Sequence, residues 1–225
     1  MRRLAAEALL VAGKDLRIEM RSRVVLNQVL PFGGLVLLLF AFALDPDRGL
    51  LPRVAPGLFW TAVLLAALLA ISRSFAIESA HGARDGLRLS TLDPAAVFFG
   101  KALGIVTELL ALEIPLAVGM FVFYDLEGQG WGILLLSSLL ATIGLACAGA
   151  VYGALAGGLD VRETLLPLLL LPVVAPVMLA ATRAWEAALG GATADAWPWI
   201  QVMTVFAVLY AALGALVYGP LLEET

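Results

Sequence analysis

Six runs of this chain are so long and so apolar that they leave little choice but helices crossing a bilayer. They are Val24–Leu44, Val54–Ser72, Ala102–Tyr124, Trp131–Leu159, Thr164–Thr182 and Ala196–Leu222. Five carry no charged residue, and the third carries only Glu108 and Glu113. A hydrocarbon core of about 30 Å is crossed by about 20 helical residues. Lipid offers the backbone no hydrogen-bond partner, so each run must pair its own amides as a helix. The rest of the composition agrees, since 62% of residues are hydrophobic and 14% charged, too little polar surface to clothe a soluble core. The expected fold is an all-α polytopic membrane protein of six transmembrane helices, one membrane domain over 1–225, with no soluble domain and no internal repeat.

Charge placement sets the expected orientation. With the N-terminus inside, Arg2, Arg3, Lys14, Arg17, Arg21, Arg23, Arg73, Arg84, Arg88, Lys101 and Arg162 are all cytoplasmic, and only Arg48, Arg53 and Arg183 lie outside. Trp60, Trp131, Trp185, Trp197 and Trp199 then all map to outer ends of spans or to the last outer loop, as an aromatic belt. Residues 2–23 resemble a signal peptide only superficially, because Glu7 interrupts the apolar stretch and Lys14-Asp15 follow at once. Arg3, Glu7, Lys14, Arg17 and Arg21 fall on one stripe of a helical wheel. Leu4, Ala5, Ala8, Leu9, Ala12 and Leu16 lie broadly opposite, with Leu10 and Asp15 out of pattern. The expectation is an interfacial helix, its basic face towards anionic head groups.

The longest polar interval between spans is 72–101. Ile77–Ser90 reads as a short amphipathic helix, with Ile77, Ala80, Ala83 and Leu87 at helical spacing and Arg84 and Arg88 one turn apart on another face. Asp93-Pro94 ends it. The stretch is either an ordinary solvated loop or a device that receives force from a soluble partner.

Candidates for chemistry are few. Glu108 lies about 9 Å into the third expected span and Glu113 near its middle. A carboxyl at that depth must be neutralised, paired or wet. Five residues set the two more than about 100° apart around the helix, so they are not a shared-proton dyad. No basic residue is expected at matching depth in another span, which points to protonation or hydration. Glu113-Ile114-Pro115 sets a carboxyl beside an expected helix break. Each glutamate is either a pathway residue or a protonated group bonded to a neighbouring helix. Gly144, Gly149 and Gly153 favour close helix packing in the fourth span. A single cysteine and a single histidine give no cysteine metal cluster and no bis-histidine haem site within the chain. There is no phosphate-cradling GxxxxGK[ST] loop and no Ser/His/Asp or zinc constellation. The chain is therefore not expected to be an enzyme by itself, and if transport is active its energy comes from elsewhere.

The order of basic helix, span, turn, span, polar stretch and four more spans resembles the permease subunit of ABC-2 type transporters. More narrowly, KDLRIEMRSR at 14–23, PRVAPGLFW at 52–60, DGLRLSTLDPAAVFFGK at 85–101 and LLPLLLLPVVAPVMLAAT at 165–182 are similar to the haem exporter protein B (CcmB) family of cytochrome c maturation. The resemblance implies a homodimeric permease of the bacterial inner membrane with both termini cytoplasmic. It implies an ATP-binding cassette subunit, a tryptophan-rich haem-handling membrane protein, a small single-span subunit and a periplasmic haem chaperone as partners, and no nucleic acid. It places ATP on the partner subunit, makes the task of the complex either haem export, with haem a candidate substrate, or release of the haem chaperone, and leaves this chain without a cofactor or metal of its own. By the same analogy 77–90 is the coupling helix, with Glu78, Arg84, Asp85, Leu87, Arg88 and Leu89 against the ATPase. Glu108, Glu113 and Pro115 are then pathway candidates. Trp185, Trp197 and Trp199 are candidates for periplasmic partner contact, in an outer loop 187–199 that could re-enter the membrane. Two other readings stand beside this one: an ABC-2 permease for another amphipathic substrate, and a non-transporting anchor that turns ATPase motion into partner remodelling.

Overall fold

The computed structural model describes residues 2–23, 25–44, 51–80, 92–126, 129–156 and 162–224. It is all-α. Helix α1 spans Arg2–Ser22; a π-helical turn, Val25–Val29, leads into α2, Leu30–Ala43. Then follow α3 (Leu51–Ala80), α4 (Pro94–Phe123), α5 (Trp131–Ala156), α6 (Arg162–Leu189), a 3-10 turn (Thr193–Ala196) and α7 (Trp197–Glu224). Among the described residues, five helices are long and apolar enough to cross a membrane: α3 to α7. A sixth crossing arises if Arg3–Ser22 and Asn27–Ala43, which meet at 55°, count as one bent span. With its eight charged residues α1 is read as lying outside the spans, which leaves the π-turn and α2, about 28 Å long together, as the first crossing.

Small residues decide what sits at the centre. Helix α5 carries Gly144, Ala146, Ala148, Gly149, Ala150, Gly153 and Ala154, all buried. Without side chains at Gly149 and Gly153, α3 can lay Ile71 and Phe75 directly on the α5 backbone. Gly144 likewise seats Phe206 of α7. Close backbone approach of this kind is how helices associate in lipid, where no hydrophobic force pulls them together. The packing reading of these glycines is the one the structure supports. Gly130, at φ 64°, turns the chain into α5, and a Cβ there would lie 3.0 Å from the Ala188 carbonyl at the end of α6. The rings of Phe98 and Tyr218 meet tilted, with centroids 5.6 Å apart, and a Cβ at Gly219 of α7 would lie 3.5 Å from Pro94. The start of α4 and the end of α7 thus share one end of the bundle, the end that also carries α1.

Several expectations need correction. Helix α1 packs on the bundle through Glu7, Ala8, Val11, Ala12 and Asp15, its buried face, which runs along the first turns of α4. Ala8 and Ala12 of the assigned apolar face are buried and Leu10 is exposed as expected, but Leu9 is 62% exposed and Glu7, Val11 and Asp15 join the buried face. Four prolines among the described residues do not break their helices. Pro167, Pro172 and Pro176 lie inside continuous α6 and Pro115 inside continuous α4, because packed neighbours tolerate a missing amide donor. Glu113 is therefore not beside a helix break. Loop 187–199 is not re-entrant: α6 runs to Leu189, and Trp197 already opens α7. Helix α3 passes the expected end at Ser72 and continues to Ala80, since nothing between them breaks a helix. The remainder of the expected coupling helix lies outside the described residues.

Candidate functional site

The polar stretch is held at its ends. On one side α3 carries the chain out to Ala80; on the other, Asp93 caps α4, its carboxylate accepting from the Ala95 amide at 2.9 Å, with Pro94 in the first turn. Helix α1 is joined to this exit. Glu7 Oε2 accepts from the Asp93 amide at 3.1 Å while Oε1 accepts from Arg3 Nε at 2.8 Å. These two bonds, the Arg3 bond first, hold the Glu7 carboxyl below the usual carboxylate range. A carboxylate with a lowered value stabilises the folded state above its ordinary range, and the contribution is lost as pH falls through the lowered value. The protection factor of the Asp93 amide is therefore expected to fall as pH drops through the lowered Glu7 value in the native protein, and to be reduced already at neutral pH in Glu7→Gln.

One turn further along, the joint becomes buried. Gly100 gives α1 its seat: a Cβ there would stand 2.6 Å from Val11 Cβ and 2.7 Å from the Ala8 carbonyl. Beside it Lys101, only 1% exposed, reaches Asp15 Oδ2 at 3.3 Å and Ser74 Oγ at 3.1 Å. Its ammonium also lies 4.7 Å from the Phe75 ring centroid. One side chain thus ties α1, α3 and α4 together. Asp15 Oδ2 accepts no hydrogen bond, so the contact with Lys101 is ionic, and Lys14 meets Oδ1 at 2.9 Å. Glu108, half-buried further into α4, feels Glu19, Asp15, Lys101 and Arg73.

Glu113 is placed differently. It is 4% exposed, faces α5, and accepts a short hydrogen bond from the Thr142 hydroxyl. Glu108 and Glu113 are not brought together. Pro115 is exposed at the surface of α4. The tryptophans also divide. Trp60 and Trp185 are 1% and 3% exposed and pack with Phe59, whose ring stacks on Trp185 at 4.3 Å. They are interior residues, not an interfacial belt, and Trp185 offers a partner little surface. Trp197 is exposed, and Trp199 packs partly against the core. Above them Arg53, Asp125, Gln129, Arg183 and Glu186 surround a pocket of about 860 Å³ at the far end of the bundle.

Of the residues expected on the coupling helix, Arg84, Asp85, Leu87, Arg88 and Leu89 lie outside the described residues, and Glu78 lies on the last turn of α3. Sequence reasoning missed the Asp15–Lys101–Ser74 joint. Its traces were Asp15 out of pattern on the wheel and the two glycines, Gly100 and Gly104, flanking Lys101.

A profile of the CcmB protein family matches residues 6–222. The chain is 36% identical over 178 residues to Heme exporter protein B of Haemophilus influenzae, covering 78% of this chain and 79% of that protein. It is 33% identical over 189 residues to Heme exporter protein B of Paracoccus denitrificans, covering 83% and 84%. It is 33% identical over 176 residues to the Escherichia coli protein of the same name, covering 77% and 79%.

Proposed function

This chain belongs to the CcmB protein family, and from that premise we propose that it is the membrane-embedded permease of a haem exporter, driven by a separate ATP-binding cassette subunit and serving cytochrome c maturation. The observation that carries the mechanical part is the joint of α1, α3 and α4 at both ends of the polar stretch. A partner seated on 81–91 pulls on Ala80 and Asp93 together, since these residues adjoin the stretch in the chain. Glu7 and Lys101 then oblige α1 to follow. Closure of the ATPase pair is thereby delivered to α3 and α4 as one body rather than dissipated in a loop. Such a switch requires the nucleotide to favour one arrangement by a few kcal/mol.

Hydrolysis belongs to the partner, and haem is the substrate of the complex; no residue here is assigned as a haem ligand. The protein works as a homodimer in the bacterial inner membrane with both termini cytoplasmic. Its further partners are a tryptophan-rich haem-handling protein, a small single-span subunit and a periplasmic haem chaperone. The family resemblance and the excess of basic residues at the α1 end support these assignments.

Charge reversal tests the coupling role. Arg84→Glu with Arg88→Glu is expected to insert normally but to lower the stimulation of ATP hydrolysis by the assembled complex by about tenfold or more. Normal coupled hydrolysis in that double variant would remove 81–91 from the mechanism.

A further inference from the structure

The pocket of about 860 Å³ opens at the end of the bundle opposite α1. Three walls meet there: the start of α3, the turn between α4 and α5, and the last turns of α6. Its volume lies in the range of small-molecule sites. The charges on its walls balance in number, Arg53 and Arg183 against Asp125 and Glu186, but not in pairing. Arg183 donates to Glu186 at 2.9 Å, one turn along its own helix. Arg53 and Asp125 are exposed and border the same space. Among the described residues neither forms an ion pair or a side-chain hydrogen bond, with the other or elsewhere. One free cation and one free anion thus stand on two walls of one pocket, both open to water.

The walls are set before anything binds. Asp125 has φ 50°, a left-handed backbone that an aspartate keeps at a cost and only where its surroundings hold it. Across the pocket Gly191, at φ 76°, turns the end of α6 so closely that a Cβ there would lie 3.0 Å from Gln129 Oε1. A preformed site loses less on binding than one that must first be ordered. Val54, Leu126 and Leu189 add apolar surface to the same walls.

We propose that this pocket binds a phosphoethanolamine group, with the phosphate at Arg53 and the primary ammonium at Asp125. A ligand of one sign would satisfy one free charge and repel the other, whereas a zwitterion answers both. Guanidinium meets phosphate through paired N–H bonds, and Arg183 adds a second positive neighbour. A primary ammonium has three N–H donors, enough for Asp125 and for Gln129 Oε1; a trimethylated one has none. The ends of three spans meet at the pocket, which sets it level with the lipid head groups. The same group can come from a phospholipid of the bilayer or from a soluble glycerophosphoester. The site is independent of what the complex exports.

The test titrates the assembled complex, delipidated in mild detergent, with phosphatidylethanolamine, phosphatidylcholine and phosphatidylglycerol of the same acyl chains. Retained lipid is counted by native mass spectrometry. Phosphatidylethanolamine is expected to bind about tenfold more tightly than either of the others, since phosphatidylcholine lacks the N–H donors and phosphatidylglycerol the positive charge. Arg53→Gln and Asp125→Asn, both at exposed positions, should each reduce that preference by about threefold or more. Excess glycerophosphoethanolamine then identifies the source. Displacement of the lipid means that the head group alone is recognised; retention means that the ligand is the membrane-anchored form, and either supports the site. Equal affinity for the three lipids, or a preference untouched by both Arg53→Gln and Asp125→Asn, would overturn the proposal.

Discussion

Replacing Lys101 with methionine is expected to lower the stability of the protein by about 3 kcal/mol and to release α1 from α4. The charge removed is 1% exposed and its partner Asp15 is also buried. Loss of the ammonium leaves a carboxylate in an apolar seat, with only the half-exposed Lys14 beside it. Breaking a buried pair costs about 3–5 kcal/mol because of the charge left behind. The lower end applies here, since Asp15 Oδ2 makes an ionic contact at 3.3 Å and accepts no hydrogen bond. Asp15→Leu combined with Lys101→Met should recover most of the loss, because an apolar pair of similar volume removes both desolvation penalties. Unfolding midpoints in mild detergent, with limited proteolysis of α1 as a second reading, separate the outcomes. A single variant as stable as the native protein would mean that Lys101 is not what holds the three helices.

Gly100→Ala should produce the second large effect, through shape instead of charge. The added methyl meets Val11 Cβ at 2.6 Å and the Ala8 carbonyl at 2.7 Å. A carbonyl of a helix backbone cannot swing away, so α1 must rise off α4. Overpacking of this sort costs about 1–3 kcal/mol, and displacement should stretch the Lys101–Asp15 contact as well. The two variants share contacts, so their combined effect should be less than the sum. Gly34→Ala is the control, since nothing lies within 4 Å of its Cβ position. A cysteine pair joining α1 to α4 should cross-link quickly in the control and slowly in Gly100→Ala; equal rates would show that the helix seat tolerates a side chain.

The membrane-spanning, all-helical character was legible because lipid allows a long apolar run one solution. Finer placement was not. Hydropathy treats a charge as the edge of a span, so Lys101 was assigned to the polar stretch, although α4 begins at Pro94 and buries it. The ion pair that makes this burial tolerable lies 86 residues away in sequence, on α1, and periodicity carries no information about it. Asp15 showed the limit most clearly: the residue that spoiled the wheel is the one that meets Lys101. Proline invited the opposite error. Pro115 read as a break, yet bundle packing keeps α4 continuous, as it keeps α6 continuous through its three prolines. Trp60 and Trp185 were read as interfacial, because an indole with a polar edge suits a membrane surface as well as an interior cluster. For Glu113 the need for shelter was visible, but Thr142 on α5 as the sheltering group was not.

The permease reading turns on whether an ATPase accompanies this chain. The most direct measurement is purification of the tagged protein in mild detergent, followed by identification of the co-purifying chains and an assay of ATP hydrolysis. The expected result is a complex that contains an ATP-binding cassette subunit and hydrolyses ATP, with a tryptophan-rich haem-handling protein alongside. A stable preparation that carries no ATP-binding subunit and shows no hydrolysis would contradict the claim that this chain is the membrane half of an ATP-driven exporter.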